Sequence, residues 1–161
     1  MPTPTKSFEL IALLRRHQVR FIVVGMTAGV LQGAPAVTFD LDILYDRDDE
    51  NVARLLAALR ELAAVFRGDP RQLVPNESHL RSRGHKLLMT TLGILDVLGS
   101  LGDLEYQDLV ADTVELSIGD STVSVLSLER LIEVKAAAGR DKDLAMLPLL
   151  RATLARRRSK A

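Results

Sequence analysis

Residues Thr38 to Asp46 read TFDLDILYD, and the fold turns on what that stretch is doing. Phe39, Leu41, Ile43 and Leu44 have the composition of a buried strand, yet Asp40 and Asp42 interrupt them. Side chains two apart on a strand share a face. Asp40 and Asp42 therefore point together, while Leu41 and Ile43 face the other way. Either the pair meets water on an open side of a sheet, or it holds a cation and a substrate there. Two carboxylates this close repel, and one is driven toward protonation unless a cation sits between them. Magnesium suits such a pair, since it takes oxygen ligands and commonly uses one or two carboxylates plus substrate phosphates.

Upstream of this stretch, Phe21-Ile22-Val23-Val24 is a compact apolar run stopped by Gly25, the pattern of a buried strand. Thr27 can cap a short helix reaching about Gln32, which Gly33-Ala34-Pro35 ends. A strand, a glycine and then a helix start expose backbone N–H groups that favour an anion such as phosphate. Before them, Phe8, Ile11, Ala12 and Leu14 suggest a short amphipathic helix ending near His17 and Gln18. The second strand runs from Thr38 to Tyr45. Acidic Asp46, Asp48 and Asp49 then suit a helix N-terminus. Val52, Leu55, Leu56, Leu59, Leu62, Ala63 and Phe66 continue at helical spacing to give the longest clear helix.

Gly68 to Gly84 is polar, holds two prolines and has no strong period, so it reads as a mobile loop. His85–Thr91 and Ile94–Leu98 form strands around Gly93, and the second carries Asp96. If that strand lies beside the Asp40 strand, three carboxylates converge, enough for two-metal phosphoryl chemistry. Thr113–Ile118 and Thr122–Leu126 flank Gly119-Asp120, a hairpin signal. Ser127 begins a helix, and a last helix starts near Arg140 and carries Leu144 to Leu154. The tail ARRRSKA is basic and reads as frayed. This order of elements predicts an α/β (α+β) chain, a mixed sheet with helices packed on it, in a single domain spanning 1–161 with its core at about 21–150 and a basic tail at 155–161.

The chain has 161 residues, with 21 Lys and Arg against 21 Asp and Glu. Zero formal charge argues against a protein whose main business is coating nucleic acid, though not against a local basic pocket. With no cysteine, disulfides, thiolate catalysis and Cys-based zinc sites are excluded. His79 and His85 have no spacing to a third donor. Phe21 to Phe39 carries no charge over a span of membrane-crossing length, but Gly25, Gly29, Gly33, Pro35 and Gln32 break it. A cytoplasmic chain without a membrane span or signal peptide is the expectation.

Val24-Gly25, followed after Met26 by Asp40-Leu41-Asp42, resembles the nucleotidyltransferase superfamily typified by DNA polymerase β. More closely, the chain resembles small bacterial nucleotidyltransferase domains related to the AbiEii abortive-infection toxins. The likeness covers Phe21 to Leu150: a stretch like Gly33–Asp42 ending in Thr-x-Asp-x-Asp, a later Gly-x-Leu-Asp at Gly93–Asp96, and a helix motif like Lys135–Leu144.

The resemblance implies a nucleotidyltransferase-like fold and an enzyme that passes a nucleotidyl group from a nucleoside triphosphate to a hydroxyl, releasing pyrophosphate. Asp40 and Asp42 would bind Mg2+ (or Mn2+), and Asp96 would be a third ligand or the base aligning the acceptor hydroxyl. Gly25, Met26 and Thr27 would cradle the triphosphate, with Lys135 and Lys142 neutralising phosphate charge. A toxin–antitoxin role, an antitoxin partner and a homodimer are further implications. The acceptor, whether RNA, protein or small molecule, stays open. The sequence departs from the pattern at Met26, where Gly or Ser is usual, and at Ala34 and Ala36, where many relatives carry basic residues. These departures motivate the alternative of a catalytically inactive binding or regulatory module on the same fold.

Overall fold

A computed structural model describes residues 5–160. Helix α1 (Ser7–Arg16) leads into β1 (Phe21–Val24), α2 (Gly25–Leu31), β2 (Asp40–Tyr45) and α3 (Asp49–Glu61). There follow β3 (Val65–Phe66), α4 (Glu77–Arg81), β4 (His85–Thr90) and β5 (Gly93–Leu98). Helix α5 (Tyr106–Leu109) runs into a short 3-10 turn before the hairpin β6 (Thr113–Ile118) and β7 (Ser121–Leu126). Helices α6 (Leu128–Ala138) and α7 (Asp141–Ser159) close the chain. The strands form one seven-stranded sheet in the order β3-β4-β5-β2-β1-β7-β6. β2 pairs parallel with β5 and β1 parallel with β7, whereas β1–β2, β3–β4, β4–β5 and β6–β7 are antiparallel. The expected mixed α/β architecture is what forms.

The core explains why these segments order. Leu41 and Ile43 are fully buried in the same cluster as Leu10 and Leu14 of α1 and Leu55 and Leu59 of α3. Their strand neighbours Asp40 and Asp42 are only half-buried, which leaves one face of the central sheet open at the carboxylates. None of the helices among the described residues is long and apolar enough to cross a membrane.

Four details differ from the sequence-based expectation. The strand expected from Thr38 begins at Asp40, because the Thr38 side chain is turned onto the Asp40 carbonyl (Oγ1 to O, 3.2 Å). The long helix expected to reach Phe66 ends at Glu61. Ala63 takes a left-handed conformation (φ 51°), and the Ala64 N–H closes onto the Leu59 carbonyl at 3.0 Å. That is the Schellman-type stop usually supplied by glycine, and it frees Val65 and Phe66 to join the sheet edge.

The Gly68–Gly84 segment is not a bare loop. Leu80 is fully buried, Asn76 and His79 form a capping box at α4, and the Tyr45 hydroxyl donates to the Leu80 carbonyl at 2.5 Å. The buried Lys86 ammonium donates to the carbonyls of Ser82 (2.5 Å) and Gly84 (2.6 Å) and to the Tyr45 hydroxyl (2.9 Å), fastening the end of the segment to the sheet. Finally, the basic tail remains helical through Ser159, since α7 continues past Leu154.

Candidate active site

Strand pairing places the acids. In the parallel β2–β5 ladder Asp42 lies directly opposite Asp96, and in the antiparallel β1–β2 ladder Val24 lies opposite Asp42. Asp40, Asp42 and Asp96 each offer a carboxylate oxygen, and those oxygens all lie within 4.8 Å of one another. Asp96 is buried, while the other two are half-buried toward the open face.

Gly25 is what lets this happen. Its φ is +66°, a left-handed value disfavoured for side-chain-bearing residues, and a Cβ built on it would stand 2.2 Å from Asp42 Oδ2. The backbone between β1 and α2 thus passes directly against the Asp42 carboxylate. Thr27, read from sequence as a helix cap, instead sits buried inside α2. Its hydroxyl lies 2.8 Å from the Asp40 carbonyl and 3.0 Å from Thr38 Oγ1. The two threonines therefore latch α2 to the start of β2 and fix the backbone of Asp40. Met26 is half-buried and packs against the apolar core.

Three acids so close cannot all ionise freely. Burial, then the charges of Asp40 and Asp96, push the Asp42 carboxyl up to about 8. Asp40 is also raised, by burial first and then by Asp96, with the Arg67 guanidinium opposing. Arg67 carries no motif in the sequence. It follows β3 on the sheet edge, its N–H donates to the Leu87 carbonyl (2.8 Å), and Leu87 is the cross-strand partner of Asp96. From there its side chain reaches across to donate to Asp96 Oδ1 at 2.9 Å and to the Leu88 carbonyl at 3.2 Å. No local pattern marked Arg67, because it follows what reads as a helix end; only the strand at Val65 and Phe66 places it.

The two candidate lysines are elsewhere engaged or exposed. Lys135, on α6, lies 3.6 Å from Asp143 Oδ1. Arg140 Nε lies 2.6 Å from the other oxygen of Asp143. Burial opposes ionisation of Asp143, but these two cations hold its carboxyl below the usual range. Lys142 is exposed on the first turn of α7 and forms no ion pair with the three acids among the described residues. The structure thus brings together Asp40, Asp42, Asp96 and Gly25, with Arg67 added, and leaves Lys135 and Lys142 outside direct contact.

No protein-family model matches the chain, and no curated protein does. Solved structures do. One is a Thermotoga maritima protein assigned as a nucleotidyltransferase, 19% identical, covering 87% of this chain and 86% of that one with a TM-score of 0.57. The lincosamide antibiotic adenylyltransferase LnuA, in its lincomycin-bound form, is similar at 14% identity, 93% and 98% coverage, and a TM-score of 0.63. The antibiotic-resistance factor ANT(2'')-Ia follows at 15% identity, 92% and 84% coverage, and a TM-score of 0.54.

The chain has a nucleotidyltransferase fold. Within that fold the oxygen-only donor set at Asp40, Asp42 and Asp96 suits a hard divalent cation. Burial first, and the neighbouring acids second, raise the Asp42 carboxyl, and a bound cation would oppose both.

Proposed function

We propose that this chain is a metal-dependent nucleotidyltransferase, built as one domain, that moves a nucleotidyl group from a nucleoside triphosphate to a hydroxyl acceptor. The observation that carries the proposal is the convergence of three carboxylates on an open sheet face, against the Gly25 turn. Asp40, Asp42 and Asp96 would hold Mg2+ or Mn2+. When bound, the cation supplies charge neutralisation at the phosphates and orientation of the reacting oxygens.

The chain's own residues supply the rest. The Gly25 turn, with Met26 and Thr27 behind it, gives the triphosphate a close backbone approach, since no side chain stands between Gly25 and the acids. In the transfer the acceptor oxygen bonds to the α-phosphorus, the bond from that phosphorus to the bridging oxygen breaks, and pyrophosphate leaves. The hydroxyl proton needs a base. Asp96 has one oxygen tied to Arg67 and also faces the carboxylates of Asp40 and Asp42, so it is placed to take that role or to serve as the third ligand. Lys135 and Lys142, at the α6–α7 junction, are proposed to meet phosphate charge. Catalysis would rest on positioning and charge, as phosphoryl transfer requires. The sequence resemblance to AbiEii-related domains supports a toxin role with an antitoxin partner. LnuA, solved with lincomycin, supports a small molecule as one acceptor class, and offering the labelled nucleotide with a small hydroxyl compound or with a nucleic-acid strand decides between that class and a macromolecular acceptor.

The inactive-module reading is favoured by one observation: Arg67 already neutralises the acid that would act as base. Calorimetric titration of each nucleoside triphosphate with Mg2+, on the native chain and on Asp40→Asn/Asp42→Asn, separates the two. Metal-dependent binding lost in the double variant, followed by transfer of a labelled nucleotide, is expected. Binding without any transfer would establish the inactive module instead.

A further inference from the structure

The basic end of the chain is where the structure departs most from its neutral composition. From Leu144 to Lys160 there are five cations (Arg151, Arg156, Arg157, Arg158 and Lys160) and no acid. Because α7 stays helical to Ser159, Thr153, Arg156, Arg157 and Lys160 fall at spacings of three, four and seven and share one stripe. That stripe faces Gln32, Gly33 and Pro35 across a groove of about 490 Å³.

The groove is rigidly built. Buried Gln32 donates through its amide to the carbonyls of Ala28 (3.0 Å) and Leu126 (2.8 Å), and Arg157 Nη1 donates to the Gln32 carbonyl at 2.8 Å. Arg156 has only a long contact to Thr153 Oγ1, at 3.4 Å, and neither it nor Lys160 has an acidic partner among the described residues. A helix dipole accounts for one or two cations in the last turn. It does not account for a stripe aimed at the Gly33–Pro35 turn.

Position gives the groove its meaning. Helix α2 has Gly25 and the carboxylates at one end and the groove at the other, seven residues or about 10 Å away. The same turn then runs on through Ala34 and Ala36 to Asp40. The turn itself carries no charge, and the cations facing it across the groove come from α7.

We propose that this groove binds the phosphodiester backbone of a single-stranded nucleic acid, placing its terminal hydroxyl toward the carboxylates as the acceptor. The acceptor role rests on the nucleotidyltransferase reading; the binding does not. Neutral overall charge is compatible with this, because a local stripe of cations suffices for a short contact.

The test is fluorescence anisotropy of a short end-labelled single-stranded RNA, and of its DNA counterpart, in metal-free buffer at several salt concentrations. Native protein is compared with Arg156→Glu/Lys160→Glu, leaving Arg157 in place because it caps Gln32. Exposed Arg60→Glu on α3 serves as the control. The groove variant should bind at least tenfold more weakly, and its salt slope should be shallower by about 1.4, or 0.7 for each of two lost phosphate contacts. The milder Arg156→Gln/Lys160→Gln should show a smaller loss in the same direction while melting like the native chain. RNA and DNA arms tell which backbone is preferred. Unchanged affinity in the groove variants, an equal loss in Arg60→Glu, or displacement of the strand by a nucleoside triphosphate alone would overturn the proposal. A chain that binds the strand through the groove yet transfers nothing would sink the enzyme reading and keep the groove. Transfer that proceeds normally in the groove variant, with binding unchanged, would do the reverse.

Discussion

Adding one methyl group to Gly25 tests the site at its tightest point. The new Cβ would stand 2.2 Å from Asp42 Oδ2, in a backbone conformation with φ of +66°. Gly25→Ala should therefore lower stability by on the order of 1–2 kcal/mol. It should also abolish the Mg2+-induced rise in melting temperature, by pushing the Asp42 carboxylate away; a melt with and without Mg2+ reads both. Asp42 itself predicts a pH signature. Its folded-state carboxyl sits at about 8, above the ordinary carboxylate value of about 3.9 in the unfolded chain. Between those values the folded state holds the extra proton, so stability falls as pH rises through that window. In metal-free buffer the native melting temperature should drop from pH 5 to pH 8 relative to Asp42→Asn, and added Mg2+ should reverse the drop at pH 8. A flat difference across that range would show that Asp42 is ionised throughout.

At the scale of single elements, the strand β3 depends on a helix that stops in the right place. Ala63 ends α3 at φ 51°, which costs a side-chain-bearing residue about 1 kcal/mol. Ala63→Gly should relieve that strain and raise stability by up to about 1 kcal/mol, measured by urea unfolding. Arg67 follows directly, so the register of β3 sets where its guanidinium lands on Asp96. The helical spacing from Val52 to Phe66 carries no local stop signal, because alanine occupies the position glycine usually takes. The Gly68–Gly84 segment was opaque for a related reason. Its anchoring comes from Leu80 burial and from Tyr45, distant in sequence, which holds both the Leu80 carbonyl and the nearby Lys86 ammonium.

For the whole molecule, the α6–α7 junction and the packing of α7 on α2 decide whether the C-terminal helix belongs to the fold. Asp143 is 2% exposed and binds both Lys135 and Arg140. Its lowered carboxyl means that the stabilisation it gives is present at neutral pH and is lost on acidification below the ordinary carboxylate range. Asp143→Ala should destabilise the chain at pH 7 by on the order of 1–3 kcal/mol, because it leaves two cations unpaired, and the difference from native should shrink as pH falls toward 3. Leu150 is fully buried, and a Cβ on Gly29 of α2 would lie 2.8 Å from its Cδ2. Leu150→Ala should cost about 2–5 kcal/mol by leaving a cavity at that close contact.

The sequence by itself determined the mixed α/β order, the carboxylate pair of β2 and the glycine turn before it. Strand alternation, helical period and glycine punctuation are local signals written in neighbouring residues. Tertiary structure alone decided that β5 lies parallel to β2 with Asp96 opposite Asp42. It also decided that Arg67 reaches that acid, that Thr27 latches Asp40 rather than capping a helix, and that a basic tail forms one wall of a groove. Each of these depends on which elements become neighbours. That choice is set by burying apolar faces across the whole chain, and no local window of sequence records it.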